Sequence, residues 1–336
     1  MDFKDFTAAT DDENRRLDKV VRKMAGGAHI SSIYSAIRKG LVRVNDKKAD
    51  ISLKIKAGDK ISVAAFLLSP LSQTEQNKSP FGIMPKKNNS LKLDFVFENE
   101  FIKIINKPYD VNVHGPDGIS EVIEEIYKSE AHEKSLSFTP GPLHRLDRKT
   151  TGLLVFSNNL KGAAWFSRAI AEKRVRKFYV GIACGKINER QEWSDYIVPV
   201  QLKKTNFYTM KIDQEEKNPS DLAVTVCTPL SYGKHRGKDI TLCQYEILTG
   251  KKHQIRCQSY FHEFPLLGDT AYGAQEIKEK QGFYLHAYKL FFPKDNEINA
   301  PEEITAPLNE AFKKFLTQSL INWDGSLIIK WYGIIK

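Results

Sequence analysis

Leu17, Val20, Val21 and Met24 fall at i, i+3, i+4 and i+7, the spacing of one apolar helix face, and Gly26-Gly27 ends the run. Ser31 and Ser32 offer an N-cap to a second helix carrying Ile33, Tyr34 and Ile37, which Gly40 ends. The period then shortens to two. Leu41 to Asn45 alternate as a strand, Asn45-Asp46-Lys47 turns, and Ala57-Gly58-Asp59-Lys60 leads into a last short strand, Ile61 to Val63. The pattern predicts a compact module over 15–67, behind a polar, acidic and flexible tail at 1–14. Residues 68–92 lose periodicity and gain Ser69-Pro70, Ser79-Pro80 and Lys86-Lys87-Asn88-Asn89-Ser90. They are expected to be a flexible linker that lets the module move against the rest.

A larger domain is expected over 93–336. Phe101 to Asn106 has the pattern of a strand, Lys107-Pro108 forces a turn, and residues 120–128 suit a short helix. Leu153 to Phe156 is a short apolar run behind Thr151-Gly152, which favours a buried strand over a helix. Leu160 to Val175 is predicted helical, with Ala163, Phe166, Ala169 and Ile170 on one face. The cations of Lys173 to Lys177 would close it favourably at the negative end of its dipole; a track for phosphates is the alternative. Strands are predicted at Lys177 to Ala183, Thr225 to Cys227, Ile240 to Ile247 and Leu285 to Leu290. Tyr232 to Lys238 is expected to be a loop facing nucleic acid, and Gly268 to Gly273 a tight loop.

Charge changes the picture. The formal net charge is +10, from 51 Lys and Arg against 41 Asp and Glu, which favours a polyanionic partner. Residues 11–60 carry 13 cations and 7 acids, so more than half of the excess sits in about a seventh of the chain. Arg38, Lys39 and Arg43 cluster at the end of the second predicted helix. They form either a solvated face or contacts to RNA phosphates, and their concentration beside a Gly turn favours RNA. The first ten residues hold two acids and no apolar core, so no secretory signal is expected there. Apolar runs fall far short of the ~18 residues a membrane span needs. Cys184, Cys227, Cys243 and Cys257 show no Cys-x-x-Cys spacing, and reduced thiols in a cytoplasmic protein are the simplest expectation. The eight histidines have no ligand spacing and no phosphate-binding glycine loop occurs, so neither metal nor nucleotide cofactor is expected.

Three segments could carry chemistry. Arg145 and Asp147 lie in a polar loop ahead of the Leu153 strand, where rigid structure can aim a side chain. Alone, this pair is as readily a structural ion pair as a site. Tyr179, in Lys177-Phe178-Tyr179, is by itself a core aromatic more often than not. Thr249-Gly250-Lys251-Lys252-His253-Gln254-Ile255-Arg256 crowds cations around a Gly turn that opens a helix, an arrangement suited to anions.

Taken together, these residues resemble known families. Arg16-Leu17-Asp18, the string Ser35 to Asn45 and Ala57-Gly58-Asp59 look like an S4 domain, a small RNA-binding module. His144-Arg145-Leu146-Asp147 with Thr150-Thr151-Gly152, the Thr-Gly-x-x-His-Gln-Ile-Arg string and Lys-x-Tyr resemble the RluA-type pseudouridine synthase family across most of 95–293. With the S4-like module in front, the resemblance is strongest to the RluC/RluD branch, which acts on large-subunit (23S) ribosomal RNA. Asn106-Lys107-Pro108, Val113-His114-Gly115 and Asn218-Pro219-Ser220 look more like RluC. The resemblance implies an α+β chain: the S4-like module, then a catalytic domain with a mixed, largely antiparallel central sheet. It implies that Asp147 is the essential aspartate, Tyr179 the active-site tyrosine and Arg256 the partner of Asp147. Arg145 would lie near a flipped base and Leu285 would pack beside the site. His144, Lys251, Lys252, His253, Arg38, Lys39 and Arg43 would contact RNA.

The chemistry needs these types. Forming pseudouridine breaks the N–C1′ bond, turns the uracil and rejoins it through C5. A carboxylate can attack carbon or remove a sugar proton only when ionised, and a paired guanidinium holds it so. The detached base needs an aromatic face, and a tyrosine hydroxyl can help move the C5 proton. The target must be flipped out, and an arginine can fill the gap. Nothing is oxidised or transferred, so no cofactor is expected, and the enzyme is expected to be a cytoplasmic monomer. Asp110 stands where Gly is common, Lys251 where Arg is, Gln258 where His is, and Asn158-Asn159 where Ala-Lys is; these departures bear on the target nucleotide. Two alternatives stay open: a non-catalytic RNA-binding or ribosome-assembly protein on this scaffold, and a synthase acting on tRNA.

Overall fold

The computed structural model describes residues 2–26, 28–68, 91–129, 135–201, 208–215, 218–277 and 282–327. Residues 69–90, nearly all of the expected linker, lie outside the described residues.

The N-terminal module contains β1 (Phe3–Thr7), α1 (Leu17–Met24), α2 (Ile30–Arg38), β2 (Val42–Val44), β3 (Lys47–Lys48) and β4 (Lys60–Ala64). Leu17, Val20 and Val21 of α1 meet Ile33 and Ile37 of α2 over Val42, Ile61 and Val63, which is the core the apolar spacing predicts. Asn45 and Asp46 both take left-handed φ, 51° and 62°, as a tight hairpin between β2 and β3 requires. The N-cap of α2 is His29, so Ser31 and Ser32 lie inside the first turn rather than capping it.

The expected flexible tail is a correction. Phe3 to Thr7 pairs antiparallel with Ala64 to Lys60, completing a sheet of order β1-β4-β2-β3. Phe3 and Phe6 are too few apolar positions to announce a strand, but they cover an otherwise open edge of β4. Independent movement of the module is also opposed by direct contact. Asp12, fully buried, accepts from Ala9 N (3.0 Å), Leu136 N (2.9 Å), Ser137 N (3.0 Å) and the hydroxyls of Ser135 and Ser137. Asp11 accepts from Leu160 N at 3.1 Å, and Arg15 donates to Ser137 Oγ at 2.8 Å. A carboxylate holding several N–H and O–H donors in a dry setting is a strong tie.

The larger unit contains β5 (Asp94–Glu98), β6 (Ile102–Lys107), α3 (Ile119–Ser129), β7 (Thr151–Ser157), α4 (Leu160–Ala171), β8 (Arg176–Cys184), β9 (Gln191–Gln201), β10 (Tyr208–Asp213), β11 (Leu222–His235), β12 (Lys238–Ile247), α5 (Gln254–Phe261), β13 (Leu285–Phe291), β14 (Glu303–Thr305) and α6 (Glu310–Gln318). One sheet runs β10-β9-β11-β12-β8-β13-β7-β6-β5, with β14 on β13. Every pairing is antiparallel except β13 with β7, so the sheet is mixed and largely antiparallel. Successive residues of β8 go to opposite faces. Tyr179 and Ala183 join the core with Trp165 and Phe166 of α4, whereas Val180 and Ile182 join Phe312 and Phe315 of α6.

β7 is buried along its whole length, and its parallel contact with β13 depends on Gly152. Its φ is +103°, and a Cβ there would lie 2.2 Å from the Ala287 carbonyl oxygen. Two further expectations are corrected. The region Tyr232 to Lys238 is mostly strand: β11 and β12 pair up to His235–Lys238, around a tight Arg236-Gly237 turn. Tyr232 donates its hydroxyl to Ile187 O and His235 packs on Phe315, which anchors the hairpin, while Lys234, Arg236 and Lys238 at its tip are exposed. Helix α4 ends at Ala171, and Lys173 takes φ +57°; Arg176 and Lys177 then belong to β8 instead of closing the helix.

Candidate active site

The loop before β7 is aimed by three anchors. Lys107, fully buried at the end of β6, donates to the carbonyls of Pro108 (2.9 Å) and Arg148 (2.8 Å). Arg148 pairs with Asp110, and Thr150 N closes a turn on Asp147 O at 3.0 Å. Burial pulls the Lys107 amine down to about 7. Asp147, partly exposed at the rim, is thus presented from a loop pinned on both sides.

The second segment is a turn organised by Gln254. Its Oε1 accepts from Lys251 N (2.9 Å) and Thr249 Oγ1 (2.8 Å), and its amide donates to Val224 O and Thr225 Oγ1. This seats the start of α5 against β11. His253 precedes the helix in a left-handed conformation, φ 55°. Three residues on, Arg256 reaches the Asp147 loop: Nη1 donates to Asp147 Oδ2 at 3.0 Å. The same guanidinium is gripped in bidentate fashion by buried Asp269, at 2.7 and 2.9 Å, and is sandwiched by Phe283 and Tyr272, 4.5 and 4.9 Å from their centroids. The two carboxylates hold Arg256 far above its ordinary range, so it stays charged. Asp147 Oδ1 has only His253 Nε2 near it among the described residues, at 3.7 Å, beyond hydrogen-bond distance.

A cleft of about 400 Å³ opens between these segments, lined by Asp147, Arg145, Tyr179, Leu285, Lys252, His253 and Arg256 among others. A second hollow of about 420 Å³ continues past Asp147, Arg145 and Arg256 along the Gly268–Ala271 loop. Tyr179 comes from β8 and Leu285 from β13, both buried in the floor. Burial, and then the Asp147 carboxylate, push the Tyr179 phenol well up, so it is a protonated donor at neutral pH.

The sequence-predicted residues thus divide. Asp147, Arg256, Tyr179, Leu285, Arg145, His144, Lys251, Lys252 and His253 all line the cleft. Arg145 is exposed and takes part in no ion pair among the described residues. His144 is turned inward: its Nε2 accepts from Val155 N at 3.2 Å and its ring stacks on Phe166, and burial lowers it to about 3. His253 hydrogen-bonds through Nδ1 to the Tyr272 hydroxyl at 2.8 Å, and burial lowers it to about 4. Both rings are neutral at pH 7 and add no cationic charge. Lys251 is committed to the Ser220 carbonyl. Arg38, Lys39 and Arg43 are exposed on the N-terminal module, away from the cleft lining, with Arg43 over the Phe3 ring at 4.7 Å. Sequence reasoning missed Asp269, Lys107 and Gln254; the Gly-Asp of 268–269 and the Lys-Pro of 107–108 were visible only as turn residues.

Among the described residues no three His, Cys, Asp or Glu side chains are grouped to hold a metal ion, and no helix is long and apolar enough to cross a membrane. The four cysteines are unpaired.

Comparison with known proteins agrees with this geometry. A family model described as RNA pseudouridylate synthase matches residues 102–260, and the S4 domain model matches residues 15–61. The chain is 30% identical over 314 residues to ribosomal large subunit pseudouridine synthase C of Buchnera aphidicola subsp. Schizaphis graminum, covering 90% of this chain and 93% of that protein. It is 27% identical over 323 residues to the protein of that name in Escherichia coli K12, covering 91% and 93%. Among solved structures, human RNA pseudouridylate synthase domain containing 4 shares the fold, with a TM-score of 0.54 at 22% identity over 68% of this chain and 94% of that one. The matched segment spans the pinned aspartate loop, the tyrosine strand and the arginine helix, and by these matches the chain belongs to the RNA pseudouridylate synthase family, RNA-modifying isomerases, with an S4 domain in front.

Proposed function

We propose that this enzyme converts uridines of large-subunit ribosomal RNA to pseudouridine, with Asp147, Arg256 and Tyr179 as its catalytic residues. The observation that carries the residue assignment is the Arg256 guanidinium, fixed by Asp269 and delivered to one oxygen of Asp147. That leaves the other oxygen of Asp147 without a hydrogen bond among the described residues, on a side chain that lines the cleft. The oxygen acts at the sugar, by attack on C1′ or by removing a neighbouring proton. The electron pair of the broken C1′–N1 bond leaves on N1; C5 then bonds to C1′ as Asp147 is released as carboxylate or returns the sugar proton; and the C5 proton is lost while N1 takes one up. Atoms and electrons balance within the nucleotide, so no cofactor is required. Tyr179 supplies the face on which the loose ring rests, and its protonated hydroxyl relays the proton by giving up its own as it takes another. Arg145, exposed and without a counter-ion among the described residues, fills the stack when the target flips out.

The substrate follows from the relatives' names, which specify the large ribosomal subunit, and from the cationic S4 domain, whose Arg38, Lys39 and Arg43 would hold RNA phosphates. The unit over 93–336 works as the catalytic domain, 15–67 as its RNA-binding partner, and the enzyme acts as a cytoplasmic monomer. Mapping pseudouridines in cells with and without the protein tests the substrate. Positions in the large-subunit RNA should revert to uridine when it is absent. An unchanged ribosomal pattern alongside lost positions in tRNA would replace this substrate with tRNA.

A further inference from the structure

Three lysines are buried among the described residues: Lys103, Lys107 and Lys177. Lys103 pairs with Glu98 at 2.9 Å, and Lys107 holds two carbonyls. Lys177 is only 7% exposed, yet among the described residues it has no carboxylate partner and no hydrogen-bond acceptor for its amine. Its Nζ is not among the fully buried, unpartnered side-chain atoms, so the amine keeps its remaining exposure towards the cleft, and holding a cation there with no counter-ion carries a desolvation cost.

Its place is the cleft. Lys177 and Tyr179 are two apart on β8, so both side chains leave the same face of the sheet, with Phe178 on the other. Both line the cleft that holds Asp147. Lys177 also lines a smaller recess of about 100 Å³ with Ile170, Val175, Ile247 and Gly250, and with two further cations, Lys173 and Arg176, the latter paired with Glu246. The apolar part of this wall lowers the local dielectric, and the neighbouring His144 is neutral. The charge of Lys177 is therefore aimed at the cleft and opposed by little.

We propose that Lys177 is a further catalytic residue, whose ammonium contacts the uracil ring and balances its negative charge after it leaves the sugar. This rests on the proposed reaction. Whether Asp147 bonds to C1′ or takes a sugar proton, the pair of the C1′–N1 bond stays with the uracil, which becomes an anion with charge shared over N1, O2 and O4. An ammonium fixed in a dry pocket stabilises that charge as it develops, at no reorganisation cost. The charge disappears when C5 bonds to C1′; the C5 proton is then lost as N1 takes one up, so the base ends neutral and the lysine is unchanged over a cycle. The Lys-x-Tyr spacing then has one explanation: stacking face and counter-charge on the same side of one strand. Burial lowers the amine to about 8, so it remains mostly protonated at pH 7 and is lost as pH rises through that value.

The test is Lys177→Met and Lys177→Arg in the full-length enzyme, assayed by tritium release from 5-³H-uridine-labelled ribosomal RNA. Lys177→Met should lower kcat about 100-fold or more, the effect of deleting a preorganised charge stabiliser. KM and RNA affinity should stay within about threefold, and Tm should be no lower, because an unpaired buried charge has gone. Lys177→Arg should recover at least about tenfold over Lys177→Met, since it keeps the charge. The alkaline loss of wild-type activity near pH 8 should be missing from the residual Lys177→Met rate. A kcat within threefold of wild type would overturn the inference. So would a defect confined to KM and salt dependence, which marks a phosphate contact. If Lys177→Met melts early, Lys177→Gln decides by the same kcat criterion. Wild-type release checks the underlying reaction separately: an active wild type beside an equally active Lys177→Met removes only the lysine's role, whereas an inactive wild type removes both.

Discussion

Arg256 divides one guanidinium between two carboxylates. Asp269 takes two of its N–H groups and Asp147 one, so Asp269 fixes the arginine and Asp147 borrows part of its charge. Without Asp269 the fork would be free to turn onto both oxygens of Asp147 and occupy the one the substrate needs. Asp269→Ala is expected to destabilise the enzyme by about 3–5 kcal/mol, because the buried arginine loses a partner. It should also reduce kcat about tenfold or more while leaving RNA affinity intact. Urea unfolding and tritium release measure the two effects; an unchanged kcat would show that Asp147 alone positions Arg256. Asp147, Tyr179 and Arg256 each sit in a dense motif, which is why the sequence could nominate them, and the fold brings the three to one cleft. Asp269 was not, because its role depends on a contact made only after the chain folds, and linear spacing carries no record of burial. His253 lines the cleft as expected of an RNA contact, but burial lowers its ring to about 4, so any such contact is made by a neutral imidazole.

At the scale of elements, the strands are what make the motifs intelligible. Gly152 belongs to the Thr-Gly of the aspartate motif but serves the sheet: it lets β7 touch β13 in the one parallel contact, directly below the Asp147 loop. Gly152→Ala combines a left-handed φ with a clash against a backbone carbonyl, which neighbouring side chains cannot relieve. Its expected cost is about 2–5 kcal/mol, checked by the denaturant midpoint; a shift under about 0.5 kcal/mol would contradict the assigned packing role. Apolar runs announced β7 and α1 correctly. The β11–β12 hairpin was hidden because its far end is polar, and backbone pairing, with no need of an apolar run, carries it to the Arg236-Gly237 turn. The cations after α4 misled because a left-handed Lys173 stops the helix early and turns Arg176 and Lys177 into a strand.

In the whole molecule the S4 domain is docked rather than loosely tethered. Asp12 gathers donors from a segment more than 120 residues away, and Asp11 meets the start of α4. No local pattern could show this, since Asp11 and Asp12 look like ordinary residues of an acidic tail. Under the proposed function, this docking would hold the cationic S4 domain beside the catalytic unit, so that RNA gripped by one would be presented to the cleft of the other. All of this converges on the Asp147 carboxylate. The most direct test is tritium release from 5-³H-uridine-labelled ribosomal RNA by wild type and Asp147→Asn, with RNA affinity measured in parallel. Wild type should release label stoichiometrically with pseudouridine formed, and Asp147→Asn should bind RNA within about threefold of wild type yet release none above background. Equal release by the two proteins would contradict the assignment of the chemistry to Asp147.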